Sequence, residues 1–151
     1  MIEQINLKNE MSDEDRLFYS PISTHKILII CKGNTCRSIL FESVLIKKLK
    51  GGNYTIHSSG YDVKDEEISS NVINILNEKD IKASKLSPNS LSEHENKSFD
   101  TIILLDNNID LLLIPESRVI REEFIKDPYG MEIEEYRKTF EEVNKIINRM
   151  F

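Results

Sequence analysis

The sequence predicts an α/β three-layer sandwich: a four-stranded parallel sheet flanked by helices on both faces, with a phosphate loop after the first strand. Three observations lead there. Short apolar runs alternate along the chain with segments of helical periodicity, the pattern of a parallel sheet with helical crossovers. The first run, Lys26 to Cys31, is apolar without alternation, as a central strand buried on both faces should be. That run ends in Cys31-Lys32-Gly33-Asn34-Thr35-Cys36-Arg37-Ser38, a turn opening into a helix at the strand end where such sheets bind ligands.

Residues 1–24 read as an N-terminal arm. Within it, Ser12-Asp13-Glu14-Asp15 is suited to cap a short helix through Arg16-Leu17-Phe18-Tyr19, which Pro21 then breaks. The fold proper is expected over 26–151. From Ser38 to Lys50, Leu40, Phe41, Val44, Leu45 and Leu49 recur at helical spacing, and Gly51-Gly52 stops the helix. Tyr54 to Ser58 is the second strand, ended by Gly60. Ser69 to Lys79 is the next helix, with Val72, Ile73 and Leu76 on one face. Ser90 to Asn96 reads as a short helical turn. Phe99 to Leu105 is an apolar strand ending at Asp106. Asn107 to Ile114 reads as helical up to Pro115, and Arg118 to Ile120, extending toward Ile125, as the fourth strand. Ile133, Tyr136, Phe140, Val143, Ile147 and Met150 step by threes and fours, a strongly amphipathic final helix.

Composition narrows the function classes. The chain has 151 residues, 39% of them hydrophobic and 30% charged, enough for one domain with one core. No apolar run approaches the roughly 20 residues of a membrane span. The acidic first 20 residues lack the basic and apolar regions of a secretory signal, so a cytoplasmic location is expected. Two cysteines do not make a disulfide framework. A net charge of -6 argues against general nucleic-acid binding. His25, His57 and His94 have no ligand spacing and read as surface or strand residues. No metal or other cofactor is called for. The oligomeric state is not written in the sequence.

The loop carries the chemistry. Backbone N–H groups curled around a Gly-Asn turn, at the positive end of a helix dipole, make a nest for an anion. The same field favours the thiolate form of Cys31, a nucleophile. Gly33 permits a positive φ and Asn34 tolerates one. Arg37 offers a planar fork to two phosphoryl oxygens, and Ser38 can donate a hydrogen bond to the sulfur. Phosphoryl transfer to a thiol also needs a proton for the leaving group. Asp127, in Asp127-Pro128-Tyr129-Gly130, is the candidate donor, and then the base for the water that frees the enzyme. Tyr129 is placed to line the mouth.

These residues resemble a known family. Lys26 to Ser38 with Glu42, and Asp127-Pro128-Tyr129-Gly130 before the last helix, are similar to the signatures of low-molecular-weight protein tyrosine phosphatases; Ser58-Ser59-Gly60 and Phe99-Asp100 with Leu105-Asp106 match less specifically. The resemblance spans 26–151. It implies Cys31 as nucleophile, Arg37 as phosphate clamp and Asp127 as general acid. Asn34, Ser38 and Ser58 become supports of the loop. It implies a phosphorylated protein as substrate, phosphotyrosine by default, and no metal. For Cys36 it implies a reversible disulfide with Cys31 under oxidants; a packed thiol beneath the loop is the equal alternative.

The departures bear on substrate. Ile39 stands where the family usually has proline, and the stretch from Asp106 to Asp127 is short. Lys32 and Thr35 replace loop residues that are apolar in tyrosine-specific members. Thr35 resembles the bacterial protein-arginine phosphatase branch, where threonine favours a guanidinium over a phenyl ring. Arsenate reductases share the loop, but their thiol relay needs a further cysteine, which this chain does not have after Cys36. A non-catalytic phosphopeptide-binding module is the remaining alternative, and retention of Asp127 beside Cys31, Arg37 and Ser38 weighs against it.

Overall fold

The computed structural model describes residues 24–151. The short helix expected at 16–19 lies outside them. Four strands, β1 (His25–Cys31), β2 (Tyr54–Gly60), β3 (Ser98–Leu104) and β4 (Glu116–Glu122), form one sheet in the order β2-β1-β3-β4. All three pairings are parallel. The helices are α1 (Arg37–Lys48), α2 (Ser70–Glu78) and α3 (Ile133–Met150).

The unbroken apolar run of β1 puts it in the middle of the sheet, bonded on both sides. Ile27, Leu28 and Ile29 are fully buried. Their side chains alternate between faces: Ile27, Ile29 and Cys31 join one core cluster, Leu28 and Ile30 the other. The larger cluster takes the apolar faces of all three helices, including Val72, Ile75 and Leu76 of α2 and Tyr136, Phe140, Val143 and Ile147 of α3. Each such side chain fully buried contributes about 1.5–3 kcal/mol. The smaller cluster lies over Leu28, Ile30, Ile102 and Leu104 and is closed by Leu91 and Phe99, with Tyr61, Ile109 and Ile114 packed against it.

α1 is more than amphipathic. Arg37 through Leu45 are buried without a gap, so its first half runs through the interior and only its last turn is wet. It ends where Gly51 adopts φ +90°, a left-handed turn that glycine takes without strain. α3 keeps the predicted stripe inside. Glu132, Glu134, Glu135, Glu141 and Glu142 remain outside, and two of them, Glu134 and Glu135, fall in its first turn, where they suit the dipole.

Two expectations change. Asn107–Ile114 is not an α-helix but holds a single 3-10 turn, Leu111–Leu113, capped by the Asp110 carboxylate on the Leu112 N–H. Leu111, Leu112 and Leu113 are all exposed, so no buried stripe repays the cost of helix nucleation. His94 is not a surface residue: it is buried in the 3-10 turn Leu91–His94, its ring stacked edge-on against Phe99 with centroids 5.6 Å apart.

Candidate active site

β1 delivers Cys31 to the carboxyl edge of the sheet, and the chain then curls back over it. The curl is made at Asn34, whose φ is +54°; Gly33 stays out of the left-handed region. With this turn the Asn34 N–H points at Cys31 Sγ from 3.2 Å. The Ser38 hydroxyl reaches the same sulfur at 2.9 Å. The Asn34 side chain spends every polar atom on the loop. Its Nδ2 donates to Ser38 Oγ at 2.6 Å and to Ser58 Oγ at 3.0 Å, and its Oδ1 accepts the Asn89 N–H at 2.8 Å. Because Ser38 Oγ already accepts from Asn34, its own proton is left to face the sulfur. Ser58 passes its proton to Glu42 Oε1 at 2.9 Å, where Ser84 also donates at 2.6 Å. Glu42, only 5% exposed, is thus the acceptor beneath the loop.

Arg37 opens α1 with its guanidinium turned inward. Nη1 donates to the carbonyl oxygens of Ile125 (3.0 Å) and Leu105 (3.4 Å). Nη2 pairs with Asp106 at 2.9 Å and Asp127 at 3.5 Å. One cation therefore ties together the ends of β1, β3 and the segment after β4. Burial pushes the Asp106 carboxyl up, but hydrogen bonds from Tyr61 and the Asn108 N–H, together with Arg37, outweigh it and hold it below the usual carboxylate range. Burial, then the bond to Asp106, raises the Tyr61 phenol well above its ordinary value. Cys36 faces away into the core, 3.7 Å from the Tyr136 hydroxyl. Burial raises its thiol despite bonds with Thr35 and Tyr136. Both cysteines are free thiols.

A pocket of about 380 Å³ opens over the sulfur. Cys31, Gly33, Asn34, Thr35 and Arg37 form its floor; Lys32, Asp62, Lys64, Asp65, Asp127 and Tyr129 form its rim. Tyr129 is 57% exposed and approaches Asp65 across the mouth at 3.5 Å. Lys32 points to solvent. The structure thus gathers Cys31 to Thr35, Arg37, Asp127 and Tyr129 at one pocket; Ser38 reaches it only through the sulfur, Ser58 stands behind the loop, and Cys36 is turned into the core. Among the described residues, no group of three or more His, Cys, Asp or Glu is placed to hold a metal ion, and no helix is long and apolar enough to cross a membrane.

Sequence reasoning gave no role to three participants. Asp106 entered as a strand terminus and a weak family match, although its place at the carboxyl end of a strand beside β1 was a usable signal. Asn89 sits in a polar connection with no motif. Gly60 looked like a strand stop, yet it is where the loop touches down. A Cβ there would meet Lys32 O at 2.5 Å, Gly33 C at 2.9 Å and Asn34 N at 3.0 Å.

Comparison with known proteins agrees with this arrangement. The family model for low molecular weight phosphotyrosine protein phosphatase matches residues 26–151. A protein-arginine-phosphatase of Geobacillus stearothermophilus is 26% identical, over 83% of this chain and 93% of its own. The low molecular weight protein tyrosine phosphatase of T. tengcongensis superposes with a TM-score of 0.70 at 25% identity, covering 84% of this chain and 97% of that one. An arsenate reductase from Archaeoglobus fulgidus shares the fold with a TM-score of 0.70 at 24% identity, over 82% and 97% of the two chains. The family model spans the sheet from Lys26 onward, the Cys31 loop and the last helix, and the chain belongs to the low molecular weight phosphotyrosine protein phosphatases, enzymes that remove phosphate from proteins.

Proposed function

We propose that this enzyme is a protein-arginine phosphatase working through a phosphocysteine on Cys31. Cys31 Sγ attacks phosphorus while the loop N–H groups and Arg37 hold the phosphoryl oxygens. The P–N bond breaks, its electron pair stays on the guanidine nitrogen, and Asp127 supplies that nitrogen's proton. Ser38 donates to the sulfur and eases its later departure. In the second step Asp127 takes a proton from water, the water oxygen bonds to phosphorus, and the S–P bond breaks to return the thiolate and inorganic phosphate. Gly33, Asn34 and Ser58 keep the loop curled, Lys32 adds positive charge at the rim, and Cys36 packs the loop from beneath.

The observation that carries the choice of substrate is the polar wall. Thr35 lines the floor, and Asp62 and Asp65 stand around it, with Lys64 paired to Asp62 and Lys32 at the rim. Carboxylates and a hydroxyl suit a cationic guanidinium; they offer a phenyl ring no apolar partner apart from Tyr129. The similarity to a protein-arginine-phosphatase points the same way. Phosphotyrosine is the second reading, favoured by Tyr129, whose exposed ring at the mouth can stack on an aromatic substrate. Arsenate reduction by thiol relay has no further cysteine to use.

Phosphoarginine and phosphotyrosine assayed side by side on wild type, Cys31→Ser and Thr35→Ile decide the matter. Wild type is expected to prefer phosphoarginine, Cys31→Ser to lose both activities, and Thr35→Ile to move preference toward the aromatic ester. Preference for phosphotyrosine in the wild type selects the second reading. Turnover surviving in Cys31→Ser rejects the phosphocysteine.

A further inference from the structure

We infer that Lys85, through Asn89, is a positioning residue for the Cys31 loop, fixing the donors that face the sulfur. The inference rests on the reading of Cys31 as nucleophile. Lys85 lies in the connection after α2 that runs along the back of the loop. Its ammonium donates to the Ser58 carbonyl oxygen at 2.7 Å and to Asn89 Oδ1 at 2.7 Å. Asn89 in turn gives its backbone N–H to Asn34 Oδ1 at 2.8 Å and accepts the Gly60 N–H at 2.9 Å. From Asn34 two paths reach the sulfur, its own N–H at 3.2 Å and the Ser38 hydroxyl at 2.9 Å. Nothing else among the described residues accepts or donates at Asn34 Oδ1, so the side chain's orientation depends on where Asn89 stands. An inverted amide would present an acceptor to Ser38 and turn the serine proton away from the sulfur.

Charge supports the same assignment. Glu42 lies buried beneath the loop, on the Ser58 hydroxyl, while Lys85 holds the Ser58 carbonyl. The residue is gripped by an anion at one end and a cation at the other. A buried carboxylate without a counter-charge would oppose a second negative charge at Cys31; the half-buried ammonium offsets it. Burial lowers the lysine's own proton affinity, and Glu42, Cys31 and Glu93 each act against that. Glu93 faces the brace from the following 3-10 turn, accepting from Asn89 Nδ2 at 2.9 Å.

The test compares wild type with Lys85→Met, which keeps most of the aliphatic stem, Lys85→Arg, which keeps charge and donors, and Asn89→Ala, which removes the anchor but keeps the backbone N–H. Turnover of p-nitrophenyl phosphate, the rate of Cys31 alkylation by iodoacetamide at pH 7, and thermal melting are read for each. Lys85→Met is expected to lower kcat about tenfold or more, with KM within about threefold, because a displaced donor costs rate in the transition state. Alkylation should slow in parallel, and Lys85→Arg should recover most of both. Asn89→Ala should give a smaller fall of the same kind, and it carries the test if Lys85→Met melts below assay temperature. A folded Lys85→Met with wild-type kcat and alkylation rate overturns the inference, as does a loss of rate no larger than the loss of folded protein. If Cys31→Ser keeps turnover, the phosphocysteine reading fails instead, and alkylation still reads whether Lys85 acts on the thiol.

Discussion

Replacing Gly60 by alanine tests the loop's contact with β2 through a single carbon. Gly60 sits opposite Cys31 in the parallel register, and the phosphate loop passes directly over it. The added Cβ would stand 2.5 Å from the Lys32 carbonyl oxygen, about 0.9 Å inside ordinary contact at 3.4 Å, and it also crowds Gly33 C and Asn34 N. All three neighbours are backbone, so no side chain can swing aside. The loop must lift by most of an ångström or β2 must give way. Overpacking of this kind costs about 1–3 kcal/mol, and a displacement of about 1 Å in a reacting group costs about a hundredfold in rate. Gly60→Ala should therefore melt several degrees lower and lose about two orders of magnitude in kcat/KM on p-nitrophenyl phosphate. Gly33→Ala is the control: its Cβ would meet only Thr35 Oγ1, at 3.6 Å, and its activity should stay within about tenfold of wild type. Wild-type kcat/KM in Gly60→Ala would refute the reasoning.

Other outcomes follow from the same geometry. Asp106→Asn leaves the buried Arg37 guanidinium with only the longer Asp127 pair and should cost about 3 kcal/mol in urea unfolding. Since the folded Asp106 carboxyl is held below its usual value of 3.8, that stabilisation is present above this pH and is lost as pH falls through the folded value. The wild-type advantage over Asp106→Asn should therefore shrink in strong acid. His94 is held neutral by burial, then by Lys97 and His57, with Glu93 opposing them and Lys85 adding to them, so its folded value lies below 6.5. Stability should fall as pH drops below 6.5 toward the folded value, and His94→Phe should flatten that part of the melting profile. Asp127→Asn should lower kcat about 10²- to 10⁴-fold with little change in melting, because the Asp127 side chain is 43% exposed, its ion pair is long, and an asparagine oxygen can still accept the Tyr129 N–H. Leu76→Ala, at a fully buried position of α2, should cost about 2–5 kcal/mol in the same urea series.

What could be read from the sequence was local. The order of strands and helices, the thiol at the end of β1 and the turn at Asn34 each depend on neighbours within a few residues. Even there the division of labour differed, since the left-handed residue is Asn34 and not Gly33. α1 read as amphipathic because its first half is buried by surroundings that no periodicity encodes. The 107–114 segment has the apolar content of a helix, but only Ile109 and Ile114 pack against the core while its three leucines face solvent. Asp106 on Arg37, Asn89 on Asn34 and the loop backbone on Gly60 are contacts between distant segments of ordinary composition. Their partners become visible only once the sheet order β2-β1-β3-β4 is known.

That order distributes rigidity unevenly across the chemistry. Cys31 rides on β1, which is bonded on both sides and buried through its length after Lys26. Asp127 follows β4, an edge strand with one partner and almost all of its residues in solvent. The nucleophile thus sits on firmer backbone than the proton donor. Amide exchange should be slowest along 27–31 and much faster along 116–122. Warming or mild denaturant should then slacken proton delivery while the sulfur still meets phosphate squarely. Phosphorylation of the thiol and its release would lose speed before affinity for the phosphoryl group is touched.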